Sequence, residues 1–371
     1  MKRLTLLILP FAFLVASCGG STPEPVGFAH TISALSGPGG YFDTDNLISN
    51  ERSYLHAVSD LRAAGVRGGA YLGVGPGQNF SYIAEIDPEL AIIIDLRRDN
   101  VLQHLIYKAL FETSPTRAEY LTALTGRAPP DDPDRLYDAT VEDIVDFVDG
   151  LEPDDASAAA ARATVLDRVE SFGFALSAGD IQTIERFHGE FIQYGLDLRF
   201  RSHGRAPQYY YPTLRELVLE VDREGEPASY LSSRERYGRV RRLQLADGVL
   251  PIVGDLAGDV ALGAVAAHLE SEGLHVSAFY TSNVEFYLFG SRTFGRFVDN
   301  LRRLPLTDES VIIKSHFPGG FGGSHPLQEP GYYSTQIVQS ASGLVAGWDA
   351  GRYRDYWSIV TEDLVGLVPV P

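Results

Sequence analysis

The chain has 371 residues, and its 31 lysines and arginines against 49 aspartates and glutamates give a formal net charge of −18. Such an acidic surface repels nucleic acid and anionic lipid, and no basic stripe offsets it, so we expect no nucleic-acid partner. The single cysteine, Cys18, has no partner for a disulfide. The length suits one large α/β domain with insertions, or two domains.

The first residues, "MKRLTLLILPFAFLVASCGG", place two positive charges before a short apolar segment and small residues. An apolar segment of about a dozen residues is too short to span a bilayer, so residues 1–17 are predicted to be a signal peptide. Val15–Cys18 resembles the lipobox of bacterial lipoproteins, which implies an N-terminal lipid such as palmitate on Cys18. The plainer alternative is a signal peptide with an incidental cysteine. Gly19 favours placement at the outer membrane or cell surface of the envelope, facing the periplasm or the exterior.

Residues 18–30 are predicted to be a flexible tether, because they combine glycine, serine and proline. The folded domain is expected over 31–371. From about 128 to 200 the chain has an acidic, proline-marked loop, an alanine-rich stretch and helical patterns, which predict a mostly helical insertion in that domain.

Outside the insertion, apolar strand-like runs alternate with helical patterns, which is typical of a parallel sheet. Helices are predicted over Asn50–Ala64, from Asn79, and over Asp99–Glu112, Ser232–Leu245, Gly258–Gly273, Ser282–Phe289 and Phe294–Leu304. Strands are predicted over Gly69–Val74, Leu90–Leu96, Gly248–Asp255, His275–Tyr280 and Ser310–Ser315, with a glycine-rich loop and a helical region after them. We therefore expect a doubly wound, mostly parallel Rossmann-like α/β sheet, with ligands at the carboxyl ends of its strands.

The stretch "AYLGVGPGQN" turns sharply after the first predicted strand, with glycines at 73, 75 and 77. Glycine lets a ligand approach the backbone and reaches positive φ without strain. Asp95 ends the next strand, 22 residues after Gly73, where nucleotide-binding folds place an acid against ribose. Pro76 removes an N–H that would hold phosphate, which favours an adenosine ligand without pyrophosphate. The alternative is a tight structural turn, with Asp95 at a helix N-terminus.

"AYLGVGPGQN…AIIIDLRR" resembles the first two motifs of class I S-adenosylmethionine-dependent methyltransferases. The resemblance implies S-adenosylmethionine as a cofactor, with the loop around its amino-acid part and Asp95 at its ribose. The residues expected at the cofactor are Gly73, Gly75, Gly77, Gln78, Asn79, Asp95 and Arg97. Tyr71 or Leu72 stands where these enzymes commonly have an acid. "YLGVGPGQNFSYIA", "LRRDNVLQHLIYKALFE", "VGDLAG" and "FYTSNVEFYLF" look like a family of uncharacterised, often exported bacterial proteins.

The helix predicted over Asp99–Glu112 places His104, Lys108 and Glu112 in a row opposite its apolar stripe. One interpretation is acid–base chemistry, with His104 as a catalytic candidate. The other is a solvated helix face with an i, i+4 ion pair.

Two further catalytic candidates follow predicted strands. Asn283, in "YTSNVE", either faces a substrate with Ser282 and Glu285 or caps the next helix. Asp255, in "VGDLAG", either contacts a ligand or heads a helix, where negative charge is favourable.

The remaining polar motifs predict neither a metal site nor the active site of a hydrolase. The nine histidines form no H-E-x-x-H, so we expect no metal site. The Ser–His pairs at 202, 315 and 324 lack a G-x-S-x-G elbow. "QYYYP" at 208–212 is either an aromatic wall for a substrate or a buried cluster.

Three functional hypotheses remain open at this point. The first is an envelope lipoprotein that binds a small nucleoside-like or polar ligand, with methyl transfer if it is an enzyme. The second is a non-catalytic interaction or assembly protein that uses the Rossmann core as a scaffold. The third, a hydrolase, lacks a nucleophile in a recognisable setting.

Overall fold

A computed structural model describes residues 27–203, 208–318 and 324–364. The predicted signal peptide, Cys18 and most of the predicted tether lie outside these residues, and so do the glycines at 319–320 and 322–323. Six strands form one sheet. They are β1 (Ala70–Val74), β2 (Leu90–Asp95), β3 (Val249–Val253), β4 (Val276–Ser282), β5 (Leu306–His316) and β6 (Thr335–Ser340).

Helices flank the sheet. They are α1 (Phe28–Leu35), α2 (His56–Ala63), α3 (Asn79–Ile86), α4 (Arg98–Thr113), α5 (Arg117–Thr125), α6 (Val141–Asp149), α7 (Asp155–Glu170), α8 (Ala178–Tyr194), α9 (Leu214–Val218), α10 (Arg234–Leu245), α11 (Ala261–Ser271), α12 (Val284–Gly290), α13 (Phe294–Leu301), α14 (Ala341–Asp349) and α15 (Tyr356–Thr361). Short 3₁₀ helices span Arg52–Leu55, Pro133–Leu136 and Gly195–Asp197. Within the described ranges, no helix is both long and apolar enough to cross a membrane.

The strand order is β3-β2-β1-β4-β5-β6, and the first five strands are parallel. The chain runs outward from β1 to β3 and then returns to the other side of β1 as β4. This reversal opens a crevice at the carboxyl ends of β1 and β4, where open α/β sheets bind ligands. The predicted Rossmann-like α/β class is confirmed.

The last strand corrects the expectation of a purely helical C-terminal region. β6 pairs with β5 in the antiparallel direction, from Val311 opposite Ser340 to His316 opposite Thr335. Its residues alternate little in polarity, so the sequence shows no period of two that would have predicted a strand.

The core lies on both faces of the sheet, as continuous apolar strands require. Ile92, Ile93 and Ile94 in β2 are all 0% exposed, so truncation of one of them to alanine would cost about 2–5 kcal/mol. β3 tolerates Pro251 because it is an edge strand, where one row of backbone groups needs no partner in the sheet.

Helix α4 is buried all round, which corrects the prediction of a solvated polar face. The sheet covers one side, and α7, α8 and α10 pack against the others. His104 and Lys108 are each 2% exposed. Lys108 Nζ lies 2.8 Å from Glu112 Oε1 and 2.6 Å from Asp247 Oδ1, so Lys108 and Glu112 of the row form ion pairs within the protein. The apolar stripe of α4 did not reveal that its other sides are also buried, because the helices that cover those sides come from distant parts of the chain.

The segment 128–200 contains α6, α7 and α8. Reciprocal capping boxes begin α6 at Thr140, with Asp143, and α8 at Ser177, with Asp180. A side chain that accepts from the N3 amide satisfies one of the free donors at a helix start, which fixes where these helices begin.

Candidate functional site

A cavity of about 220 Å³ lies at the carboxyl ends of β1, β2, β3 and β4. The residues that follow these strands contribute Gly75 and Gln78, Asp95–Arg97, Asp255, and Ser282 with Asn283. The segment before α2 adds Asn46 and Ser49–Glu51, and the apolar walls are Phe42, Val74, Ile94, Leu256, Val284, Tyr287 and Leu288. The cavity therefore sits at the switch point of the strand order.

The three glycines after β1 have three different environments. Gly75 lines the cavity and has φ of +81°, a conformation that glycine adopts without strain. At Gly73 a Cβ would lie 2.0 Å from Asn79 Oδ1, so glycine is required there for internal packing. At Gly77 a Cβ would lie 3.5 Å from its nearest neighbour, Tyr107, so this position has room for a side chain.

Asn79 stabilises the glycine turn from inside the protein and does not line the cavity. Its side chain is 0% exposed and accepts from Tyr71 Oη at 2.7 Å. Its Nδ2 donates to the carbonyls of Val74 at 2.9 Å and Pro76 at 2.7 Å. The side chain is thus fully engaged inside the protein, and its role is to fix the turn.

His104 likewise lies behind the turn and outside the cavity lining. Its Nε2 is 2.9 Å from the carbonyl oxygen of Gly75. Burial lowers the pKa of His104 to about 4, so the ring is neutral at pH 7 and Nε2–H donates to that carbonyl. This arrangement positions the loop through Gly75, and it leaves His104 without access to a substrate in the cavity.

Asp95 and Arg97 form a bidentate pair in the cavity wall. Asp95 Oδ1 accepts from the backbone N–H and Nε of Arg97, at 2.9 and 3.0 Å, and Oδ2 accepts from Nη2 at 2.8 Å. Arg97 Nη1 donates to the carbonyls of Thr44 and Asp45, both at 2.6 Å. The pair fastens the segment before α2 to the end of β2, and Asp95 Oδ2 retains acceptor capacity toward the cavity.

The two remaining candidates lie in the lining. Asp255 is exposed, and its Oδ1 accepts from the backbone N–H of Ala257 at 2.9 Å, so it stabilises the turn before α11. Asn283 occupies the N-cap position of α12, but its side chain makes no cap hydrogen bond. The capping interpretation of Asn283 is therefore wrong, and its amide lies at the cavity.

Glu51 is a functional candidate that the sequence analysis missed. It is 0% exposed, lines the cavity, and accepts from Tyr280 Oη at 2.6 Å, Gln336 Nε2 at 3.2 Å and Ser282 Oγ. Burial raises the pKa of Glu51, and hydrogen bonds from Ser282, Ser315, Tyr280 and Gln336 oppose that rise. The local sequence "SNERS" gives no sign of this burial, because the donors come from β4, β5 and β6.

Gln78 joins the glycine turn to this acidic end. Its Nε2 donates to Tyr280 Oη at 3.3 Å. Its Oε1 is buried and has no hydrogen-bond partner among the described residues. An acceptor of this kind beside a cavity fits a donor group on a ligand.

The other motifs lie elsewhere. His203 is 3.4 Å from Asp45, His316 packs near Tyr356, and His325 bonds the carbonyl of Val360 at 2.7 Å. In "QYYYP", Tyr209 is 92% exposed and Tyr210 stacks on Tyr333 at 3.7 Å, whereas Tyr211 packs partly buried against the core. Among the described residues, no three His, Cys, Asp or Glu side chains cluster as a metal site would require.

The strand order, with a cavity at its switch point, defines a Rossmann-like α/β protein with the geometry of a small-molecule site. The sequence matches the family described as "Domain of unknown function (DUF7790)" over residues 47–131 and 200–348. Because the match covers well over half of the chain, the protein belongs to that family. The match omits 132–199, which contain α6, α7 and α8. No curated protein matches the chain.

Proposed function

We propose that this protein binds a compact adenosyl ligand without phosphate groups, such as S-adenosylmethionine, in the switch-point cavity. The observation that carries the proposal is that Gly75, at positive φ, and the carboxylate of Asp95 line the same cavity at the ends of two neighbouring strands. The cavity volume of about 220 Å³ is below the roughly 300–1,000 Å³ of drug-sized sites, so the cavity matches the adenosyl part of such a ligand.

The charges of the lining support a ligand without phosphate. Among the described lining residues, Arg97 is the basic side chain, and its guanidinium is already bonded to Asp95, Thr44 and Asp45. Phosphate binding relies on free cations or on N–H groups, and Pro76 also removes one N–H from the turn. Dinucleotides such as NAD fit this cavity poorly.

The arrangement also fits an enzyme that transfers a methyl group from the ligand to an acceptor molecule. S-adenosylmethionine supplies an electrophilic methyl group when bound. Gln78 and Asp95 would orient the adenosyl part, and Asn283 would face the acceptor molecule. The neighbouring Phe42 and Tyr287 rings, 5.2 Å apart, would give the ligand an apolar wall of the cavity.

Isothermal titration of residues 26–371 with S-adenosylmethionine and S-adenosylhomocysteine tests the proposal. We expect saturable binding by the wild-type protein and by Asp308→Ala, whose carboxylate is exposed at the start of β5. We expect none by Asp95→Ala, and at least tenfold weaker binding by Gln78→Ala. Thermal unfolding of each variant shows whether it is folded. Folded wild-type protein without binding at millimolar ligand would contradict the proposal and favour the scaffold hypothesis.

We further propose that the protein is exported and anchored to the cell envelope through lipid on Cys18. The lipobox-like residues before Cys18 support this. Replacement of Cys18 by serine should move the full-length protein from the membrane fraction to the aqueous one and abolish palmitate labelling. Unchanged fractionation and labelling would contradict the anchor.

A further inference from the structure

We infer that the end of the cavity formed by Glu51 and Ser282 is a subsite for a positively charged group of the ligand, such as an ammonium or sulfonium. The inference rests on the proposed nucleoside-like ligand, and it adds the class of that ligand, an organic cation. Its basis is a buried carboxylate that faces the cavity without a cationic partner.

Glu51 is hydrogen-bonded but not charge-balanced. Its side-chain partners, Tyr280, Ser282, Ser315 and Gln336, are all neutral. Among the described residues it takes part in no ion pair. A buried ionised carboxylate is costly unless a cation compensates it, so a cationic ligand would gain from contact with this end.

The buried lysine of β5 is directed toward other groups. Lys314, on β5, bonds Gln339 and interacts electrostatically with Glu285 and Asp363. Glu285 in turn accepts from Thr281 Oγ1 at 2.7 Å. Lys314 therefore compensates the charge of a second buried acid, Glu285, and does not neutralise Glu51.

Ser282 both bonds to the carboxylate of Glu51 and lines the cavity. It is the last residue of β4, lines the cavity, and has φ of +55°, a left-handed conformation that is strained for a non-glycine residue. Its hydroxyl donates to Glu51 Oε1, which leaves the lone pairs of Oγ available to accept from a ligand. A hydroxyl polarised by a carboxylate is a stronger acceptor, as an ammonium donor requires.

The charges and aromatic rings in the rest of the lining are also compatible with a cationic ligand. Asp95 is balanced by Arg97, whereas Asp255 is exposed and adds a second negative charge. Phe42 and Tyr287 add aromatic rings to the lining, and aromatic faces attract cations within about 6 Å. The lining therefore combines an excess of negative charge with aromatic walls.

A matched pair of nucleosides tests the inference: adenosine, and 5′-amino-5′-deoxyadenosine, in which a primary amine replaces the 5′-hydroxyl. By isothermal titration at pH 7, we expect the wild-type protein to bind the amine at least tenfold more tightly than adenosine. Glu51→Gln should reduce that ratio to about one. Ser282→Ala should reduce the ratio partly, because the charge of Glu51 remains.

Glu309→Gln, an exposed site at the start of β5, is the control and should keep the wild-type ratio. Equal affinity of wild-type protein for both nucleosides would overturn the cation subsite and leave the adenosyl proposal standing. An unchanged preference in Glu51→Gln would also overturn it. If wild-type protein binds neither nucleoside while it is folded, both the adenosyl proposal and the subsite are overturned.

Discussion

Two asparagines at the carboxyl edge of the sheet differ in what their side chains bond. Asn79 satisfies the buried carbonyls of Val74 and Pro76, whereas Asn283 makes no cap hydrogen bond. An unsatisfied buried polar group costs about 1–3 kcal/mol. We predict that Asn79→Ala lowers the free energy of unfolding by about 2–4 kcal/mol, and that Asn283→Ala changes it by less than about 0.5 kcal/mol. Urea denaturation measures both, and equal losses would contradict this assignment.

The buried charge of Glu51 predicts a pH-dependent stability difference. Burial raises the pKa of Glu51, so its contribution to stability is present below the ordinary value of 4.5 and is lost as the pH rises through the raised pKa. Without ligand, Glu51→Gln should therefore gain stability relative to the wild type between pH 4.5 and pH 7. Chemical denaturation at the two pH values measures the difference. A variant that loses relative stability over this range would show that Glu51 is compensated within the fold.

At the scale of elements, the turn between β1 and α3 has a different requirement at each glycine. Gly73→Ala would place Cβ 2.0 Å from Asn79 Oδ1 and 2.8 Å from Tyr71 Oη, so we predict a loss of several kcal/mol. Gly77→Ala meets nothing closer than 3.5 Å, and its φ is not positive, so stability should change by less than about 1 kcal/mol. Comparison of the two melting temperatures checks this, and equal tolerance would contradict the packing described for Asn79.

Helix α4 supports the same turn through His104. The pKa of His104 is lowered to about 4, so the stability that it contributes as a neutral ring is present above about pH 6.5 and lost as the pH falls toward 4. His104→Gln retains a donor for the Gly75 carbonyl but does not titrate. Relative to the wild type, this variant should gain up to about 3 kcal/mol of unfolding free energy between pH 7 and pH 4. If the free energies of unfolding of the wild type and the variant changed equally with pH, the assignment of His104 as buried and neutral would be contradicted.

The local sequence predicts some of these elements and not others. The start of α3 at Asn79 and the strands β1 and β2 follow from apolar runs and glycine punctuation, which are local signals. The complete burial of α4 and the strand β6 depend on segments far along the chain, and no local period reports them. The same reason explains Glu51, whose hydrogen-bond donors are more than 200 residues away.

At the scale of the whole molecule, the strand order brings the predicted candidates together selectively. Gly75, Gln78, Asp95, Arg97, Asp255 and Asn283 all line one cavity. Gly73, Asn79 and His104 lie behind its wall, where they maintain the shape of the turn. Sequence position relative to a strand end predicted which residues approach the site, but it did not distinguish side chains that face a ligand from those that brace the loop.

The most direct test of the central claim is a crystal structure of the protein grown with S-adenosylmethionine. The proposed function predicts ligand density in the switch-point cavity, with ribose oxygens within hydrogen-bond distance of Asp95 and the charged group beside Ser282 and Glu51. Density for the ligand at another surface, or a cavity that contains ordered water alone at saturating ligand, would contradict it.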